Sequence, residues 1–151
     1  MLSKRDLRAE YPAQLALTEA NLTIAREAIK RLWNERQVER GLAPSADRSG
    51  SCKFAALVCR DLFGGRLSGN YDHMFVRADN RVIDLNDDQQ DVLILGKRAH
   101  LHVRSAIEHP DYRESLGYCQ ARAKRWVEWV MQHPAIERSR HDQSPTYEPF
   151  S

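Results

Sequence analysis

This chain carries almost no excess charge, few cysteines and no apolar run of membrane length, and each shortage removes a class of function. Lysine and arginine outnumber aspartate and glutamate only by 23 to 21, so the charge balance does not point to nucleic acid. A local basic run (Arg122, Lys124, Arg125, Arg138, Arg140) reads as a solvated helix face. No stretch approaches the ~20 apolar residues of a membrane span. Met1 to Asp6 carry charge with no apolar run behind them, so no signal peptide is expected. Three cysteines cannot all pair. Cys52 and Cys59 fall two turns apart on one predicted helix, about 10 Å, which is beyond disulfide reach. The expectation is a reduced, cytoplasmic protein. CxxC, HExxH and GxxxxGK[ST] spacings are absent, as are internal repeats and low-complexity tracts.

What is present suits an ordinary globular domain. A length of 151 residues, 42% hydrophobic and 29% charged, is enough for a single domain with its own core. Residues 1–20 and 135–151 read as peripheral. The recurrence of Ala25, Ala28, Ile29, Leu32 and Trp33 predicts an amphipathic helix over 22–40, capped by Asn21 or Thr23. Residues 41–50 have loop composition. Leu116, Cys119, Ala123, Trp126, Val127 and Val130 predict a last helix that begins after a break at His109-Pro110-Asp111. Trp126 and Cys119 belong to its apolar stripe. Between the helices lies a β region: a short strand at 66–68, a hairpin of 73–77 with 82–85, and further candidate strands at 92–95 and 100–103. The fold class expected is α+β, helices around a small antiparallel sheet.

The segment Ser49-Gly50-Ser51-Cys52-Lys53-Phe54-Ala55-Ala56-Leu57 is the centre of the functional reading. Ser49 or Ser51 suits a helix cap. Phe54, Leu57, Val58 and Leu62 continue as a helical stripe, and Gly64-Gly65 stops it. Cys52 therefore stands at the positive end of a helix, where thiolate is favoured over thiol. The competing reading is a small residue filling a tight turn.

The hairpin decides between them, because a nucleophilic cysteine needs a base and a group that orients the base. With a two- or four-residue turn, Arg77 faces Val82, Phe75 faces Asp84, and His73 faces Asn86. Alternation then puts His73, Phe75, Asp84 and Asn86 on one face, with His73 and Asp84 as diagonal neighbours. A carboxylate inside Val82-Ile83-Asp84-Leu85 is costly unless paired. Cys52, His73 and Asp84 are the candidate catalytic residues, and Asn86 is the reserve for the third role. A zinc site would instead use His100 and His102, sharing a strand face, with Cys52 or His73. No supporting spacing accompanies it, so neither metal nor cofactor is expected. Gly64-Gly65 is a helix stop, not a phosphate loop, and Asp87-Asp88 a solvated turn.

The order Cys, His, Asp is that of papain-like and transglutaminase-like enzymes. Gly50-Ser51-Cys52, Ala55-Ala56-Leu57-Val58, Asp61 through Leu67, His73 and Ile83-Asp84-Leu85-Asn86 with Gln89 resemble the YunG-like family over roughly residues 24–95. The resemblance implies a compact papain-like core and a Cys-His-Asp site while saying little about substrate; the thiol chemistry leads to the expectation of an acyl or peptide-like one. In that family a Gln precedes the cysteine. Here Ser51 stands there, so Ser51, Ser49 or the Cys52 backbone N–H is left to hold an oxyanion, with Asn86 and Gln89 as further binding candidates. Two functions follow: a cysteine hydrolase or acyl transferase acting on an amide or thioester, or a binding module that kept the fold and lost the chemistry.

Overall fold

The helix that begins at Cys52 is apolar nearly all round, and the rest of the chain is arranged to cover it. In the computed structural model, residues 1–43 and 50–137 are described. The element order is α1 (Lys4–Arg8), α2 (Glu19–Glu39), α3 (Cys52–Phe63), β1 (Arg66–Gly69), β2 (Met74–Ala78), β3 (Arg81–Ile83), α4 (Gln90–Leu95), a 3-10 helix (Gly96–His100), α5 (Arg104–Ile107) and α6 (Pro110–Met131). This is an α+β architecture. The three strands form one antiparallel sheet in the order β1-β2-β3. One side of α3 packs on α6 and another on β2, while α2 also lies against α6. Phe54 joins these layers: its ring stacks on Trp126 at 5.2 Å and meets Trp33 at 5.9 Å. Cys59 and Cys119 are buried in this core.

The hairpin has the expected parity. Ala78 faces Arg81, Arg77 faces Val82, and Val76 faces Ile83 across a two-residue turn. Asp79 supplies the positive φ (55°) that such a turn demands.

Other expectations are corrected. The run 92–95 is not a strand but lies in α4, with Leu93 and Ile94 exposed. A short apolar run does not distinguish the two, and a helical turn satisfies its backbone without a neighbouring strand. Residues 100–103 are likewise not a strand. His100 ends the 3-10 helix and 101–103 lead on into α5, so His100 and His102 share no strand face. The last helix begins within His109-Pro110-Asp111 rather than after it: Pro110 occupies the first turn and His109 Nδ1 accepts from the Asp111 N–H at 3.1 Å. α2 is capped by Thr18, whose Oγ1 accepts from the Asn21 N–H at 3.1 Å. Asn21 is instead buried, donating to Ala16 and Glu137 carbonyls.

The opening 20 residues contain three anchors, Leu2, Leu7 and Leu15, buried in the common core. A buried cation fixes their path. Arg60 of α3 donates to the Asp6 carbonyl at 2.7 Å and its carboxylate at 3.2 Å, with its guanidinium 3.8 Å from the Tyr11 ring centre. Tyr11 then exchanges two backbone hydrogen bonds with Gly65. Of the closing segment 135–151, residues 138–151 lie outside the described residues. Among the described residues no helix is long and apolar enough to cross a membrane.

Gly65 combines a φ of 93° with a site where a Cβ would come within 2.6 Å of the Arg77 carbonyl oxygen. Gly41 has a similar φ of 79° with nothing within 4 Å. Gly65→Ala is therefore expected to lose at least about 1 kcal/mol more stability than Gly41→Ala in urea unfolding, the excess being the clash rather than the dihedral.

Candidate active site

The first turn of α3 presents Cys52 half-buried, while Ser51 before it is fully buried. Ser51 occupies the cap position with ψ of −7°, already helical, and its side chain makes no capping bond. That backbone angle turns the hydroxyl away from the first-turn N–H groups. The Oγ instead accepts from Asn86 Nδ2 at 2.9 Å. Ser49 lies outside the described residues. The Ser51–Asn86 bond therefore ties the start of α3 to the chain leaving β3.

That exit carries Asp84, one residue past the end of β3, and the entrance to β2 carries His73. Both are buried. His73 Nε2 lies 2.7 Å from Asp84 Oδ2, as the hairpin parity requires. Asp84 Oδ1 accepts the Asn86 N–H at 2.9 Å. His73 also lies close enough to Cys52 for the sulfur to help raise its pKa. Because Nε2 is committed to Asp84, Nδ1 is the nitrogen left for the thiol. Cys52, His73 and Asp84 thus form a continuous chain of side chains, and Phe75 lies on their face, stacked on His73 at 6.3 Å.

The electrostatics are mutual. Burial alone would lower the His73 pKa, but hydrogen bonds to Asp84 and Cys52 and their charges outweigh it and hold it up at about 10. Burial would raise Asp84, yet hydrogen bonds from His100 and His73, then the His73 charge, bring it down to about 2. Tyr112 stands close enough to Cys52 that the sulfur's charge adds to burial in pushing the phenol up. Burial raises Cys59 far above its ordinary value and raises Cys119 as well.

Two participants escaped the sequence reading in these roles. His100, considered there only for zinc, directs Nε2 to the same Asp84 Oδ2 at 2.8 Å and meets the Phe75 ring edge-on at 5.0 Å. His102, its expected companion, is elsewhere, Nδ1 accepting the Gly69 N–H at 3.4 Å. Asn70 is the second. Its Oδ1 accepts the Asp72 and His73 N–H groups at 2.9 and 3.1 Å. Its Nδ2 donates to the Leu101 and Ala99 carbonyls at 2.8 and 3.2 Å. Asn70 therefore fixes the backbone of His73 and of the segment bearing His100 together. The Gly-Asn turn dipeptide was the available signal.

Gln89 caps α4 by position and its Nε2 donates to Asp91 Oδ1. Among the described residues it makes no hydrogen bond to Cys52, His73 or Asp84. Asp87 and Asp88 pair with Arg26 and Lys30 of α2 at 3.0 and 3.1 Å, pinning the loop that holds Asn86 rather than forming a free turn.

The ligand-type atoms of His73, Asp84 and His100 lie within 4.8 Å of one another, a grouping a cation could join. Both Nε2 atoms already bond Asp84 Oδ2, so a metal would have to replace both hydrogen bonds. It would also face away from the thiol, across the ring of His73. The set therefore reads more simply as a hydrogen-bonded relay.

The signs of the shifts fix a pH dependence. His73 lies above its unfolded value of ~6.5, so the stability it contributes is complete below that pH and is lost as pH rises through about 10. Asp84 lies below its unfolded value, so its contribution is present above pH ~4 and is lost as pH falls through about 2. Urea midpoints measured from pH 6.5 to 10 are expected to fall further for the wild type than for His73→Gln, the two curves converging at the alkaline end. No protein-family model, no curated protein and no solved structure matches the chain, so the functional reading rests on this geometry.

Proposed function

We propose that the protein is a cysteine-dependent hydrolase or acyl transferase of papain-like organisation, acting on an amide or thioester. The observation that carries this reading is His73, bonded to the buried Asp84 on one side and close enough to Cys52 on the other for the sulfur to help hold its proton. The Cys-His-Asp order and the resemblance to the YunG-like family agree with it.

In the proposed reaction the proton of the Cys52 thiol resides on His73 as the imidazolium, and the thiolate attacks the acyl carbon. Charge on the acyl oxygen is held by the Cys52 backbone N–H at the start of α3, where the helix end is positive. Collapse breaks the bond to nitrogen or sulfur as the His73 imidazolium protonates the leaving group. Water, or an amine in a transferase, then attacks the thioester as His73 takes its proton; the C–S bond breaks, releasing an acid from water or an amide from the amine, and Cys52 is restored with its proton on His73. Asp84 fixes the ring tautomer and stabilises the imidazolium throughout.

The second reading, a binding module without chemistry, is favoured by one feature. Ser51 stands where the family has Gln, and its hydroxyl is engaged with Asn86. That hydroxyl is fully buried and accepts from Asn86, so the position lacks the longer amide donor that the family places there.

Thiol labelling separates the two. Iodoacetamide at pH 6.5 is expected to alkylate Cys52 selectively, with Cys59 and Cys119 protected by burial, and peptide mapping reads the site. His73→Gln is expected to slow Cys52 labelling by about tenfold or more. A Cys52 rate like that of free cysteine, unchanged by His73→Gln, favours the module. Where a hydrolysable acyl substrate is found, Cys52→Ala abolishes turnover.

A further inference from the structure

Beside the proposed nucleophile, between α2, α3 and α6, lies a cleft of about 350 Å³ whose wall is one-sided in charge. Arg36, Arg40 and Lys53 line it with the neutral side chains Gln37, Ser115 and Tyr118, Gln37 Oε1 accepting from Arg40 at 3.3 Å, and among the described residues no carboxylate lines it. Such clusters usually pair with nearby acids. Here, among the described residues, none of the three cations forms an ion pair, and Glu35 and Glu39, the acids next to Arg36 and Arg40, are taken by Arg31 and Arg122 at 3.1 Å each.

Aromatic rings hold two of the cations in place instead. The Arg36 guanidinium lies 5.3 Å from the Trp33 ring centre and 4.9 Å from that of Phe54. Lys53 Nζ lies 4.6 Å from the Tyr112 ring. A π face positions a cation without using its in-plane N–H donors, so those remain free for an anion. Burial, then the like charges of Arg40 and Arg122, pull Arg36 below its ordinary value, and the opposing charges of Cys119 and Glu39 do not offset them. Trp33, buried in the same wall, has an indole N–H with no acceptor.

The cleft adjoins the thiol. Gly50 and Lys53, which line it, bracket Cys52 in the chain. Cys119, also in the wall, lies close enough to Cys52, Lys53 and Arg36 to feel all three charges. We infer that the cleft binds an anionic group, a carboxylate or a phosphate, of the molecule whose acyl carbon meets Cys52. Its volume, at the small end for ligand pockets, suits one such group rather than a long chain. Anion binding stands on the cleft alone, and its link to the acyl substrate rests on the thiol reading above.

The binding half is tested on Cys52→Ser protein, where no thiol chemistry intervenes. Succinate and inorganic phosphate are titrated at constant ionic strength while the tryptophan indole N–H resonances are followed. Saturable binding of at least one anion is expected, weakened about tenfold by Arg36→Gln combined with Arg40→Gln, as the loss of charge-assisted hydrogen bonds predicts. Arg40→Gln alone, on an exposed residue, gives a smaller loss and covers the case in which the double variant fails to fold. Arg31→Gln, a control that pairs with Glu35 away from the cleft, changes nothing. The stronger of the two probes identifies carboxylate or phosphate as the group taken. No saturable binding of either anion, or binding that ignores Arg40→Gln, overturns the proposal.

The link is tested on the wild type by comparing iodoacetate with iodoacetamide at Cys52. A rate ratio several-fold above that of free cysteine, reduced by Arg40→Gln, supports it, and a ratio equal to free cysteine overturns it. Failure of both reagents to label Cys52 overturns the thiol reading and the link with it, while the titration still decides anion binding.

Discussion

The buried carboxylate of Asp84 is the constraint on which the site depends. Taking a charge out of water is expensive, and it is tolerated only where partners replace the lost solvation. Asp84 has three: the imidazoles of His73 and His100 on one oxygen and the Asn86 N–H on the other. Each comes from a different part of the chain, so the carboxylate forces the entrance of β2, the end of the 3-10 helix and the exit of β3 to converge. Removing one partner from a buried pair typically costs about 3–5 kcal/mol. The cost of misplacing any of these segments is therefore high, and the geometry around His73 is correspondingly well determined.

Convergence on Asp84 would be idle if the thiol were free to drift. Two connections prevent that. The Ser51–Asn86 hydrogen bond joins the residue before Cys52 to the residue two past Asp84. Salt bridges from Arg26 and Lys30 then hold the following loop against α2. Further along α3, Arg60 anchors the opening segment from inside the core. The helix is thus gripped near both ends, and its first turn meets the hairpin in one arrangement.

What could be read in the sequence was local or periodic. α3 and its glycine stop follow from spacing over a dozen residues, and the parity of His73 with Asp84 follows from alternation across a two-residue turn. Both depend only on neighbours in the chain. His100 lies 16 residues from Asp84 with a helix and a 3-10 turn between. No periodicity spans that distance, so its role appears only in three dimensions. Asn70 was visible as a turn residue, but the carbonyls it gathers at Ala99 and Leu101 were not. The errors at 92–95 and at His109-Pro110 have a common physical origin. Short apolar runs and prolines carry opposite meanings according to which side of a helix boundary they occupy.

His100 also changes how the site is to be understood electrostatically. An isolated His–Asp pair would place the whole orienting burden on one hydrogen bond. With a second imidazole on the same oxygen, the carboxylate cannot rotate toward His73 without leaving His100, so its plane is set by both. His100 is the partly exposed member of the group, its side chain 30% accessible against 4% for His73 and Asp84. It therefore separates the buried pair from solvent while remaining in contact with it. Phe75 closes the other side, stacking on His73 and meeting His100 edge-on. The low dielectric this enclosure creates strengthens the attraction between His73 and Asp84, and the same attraction justifies burying the charge in the first place.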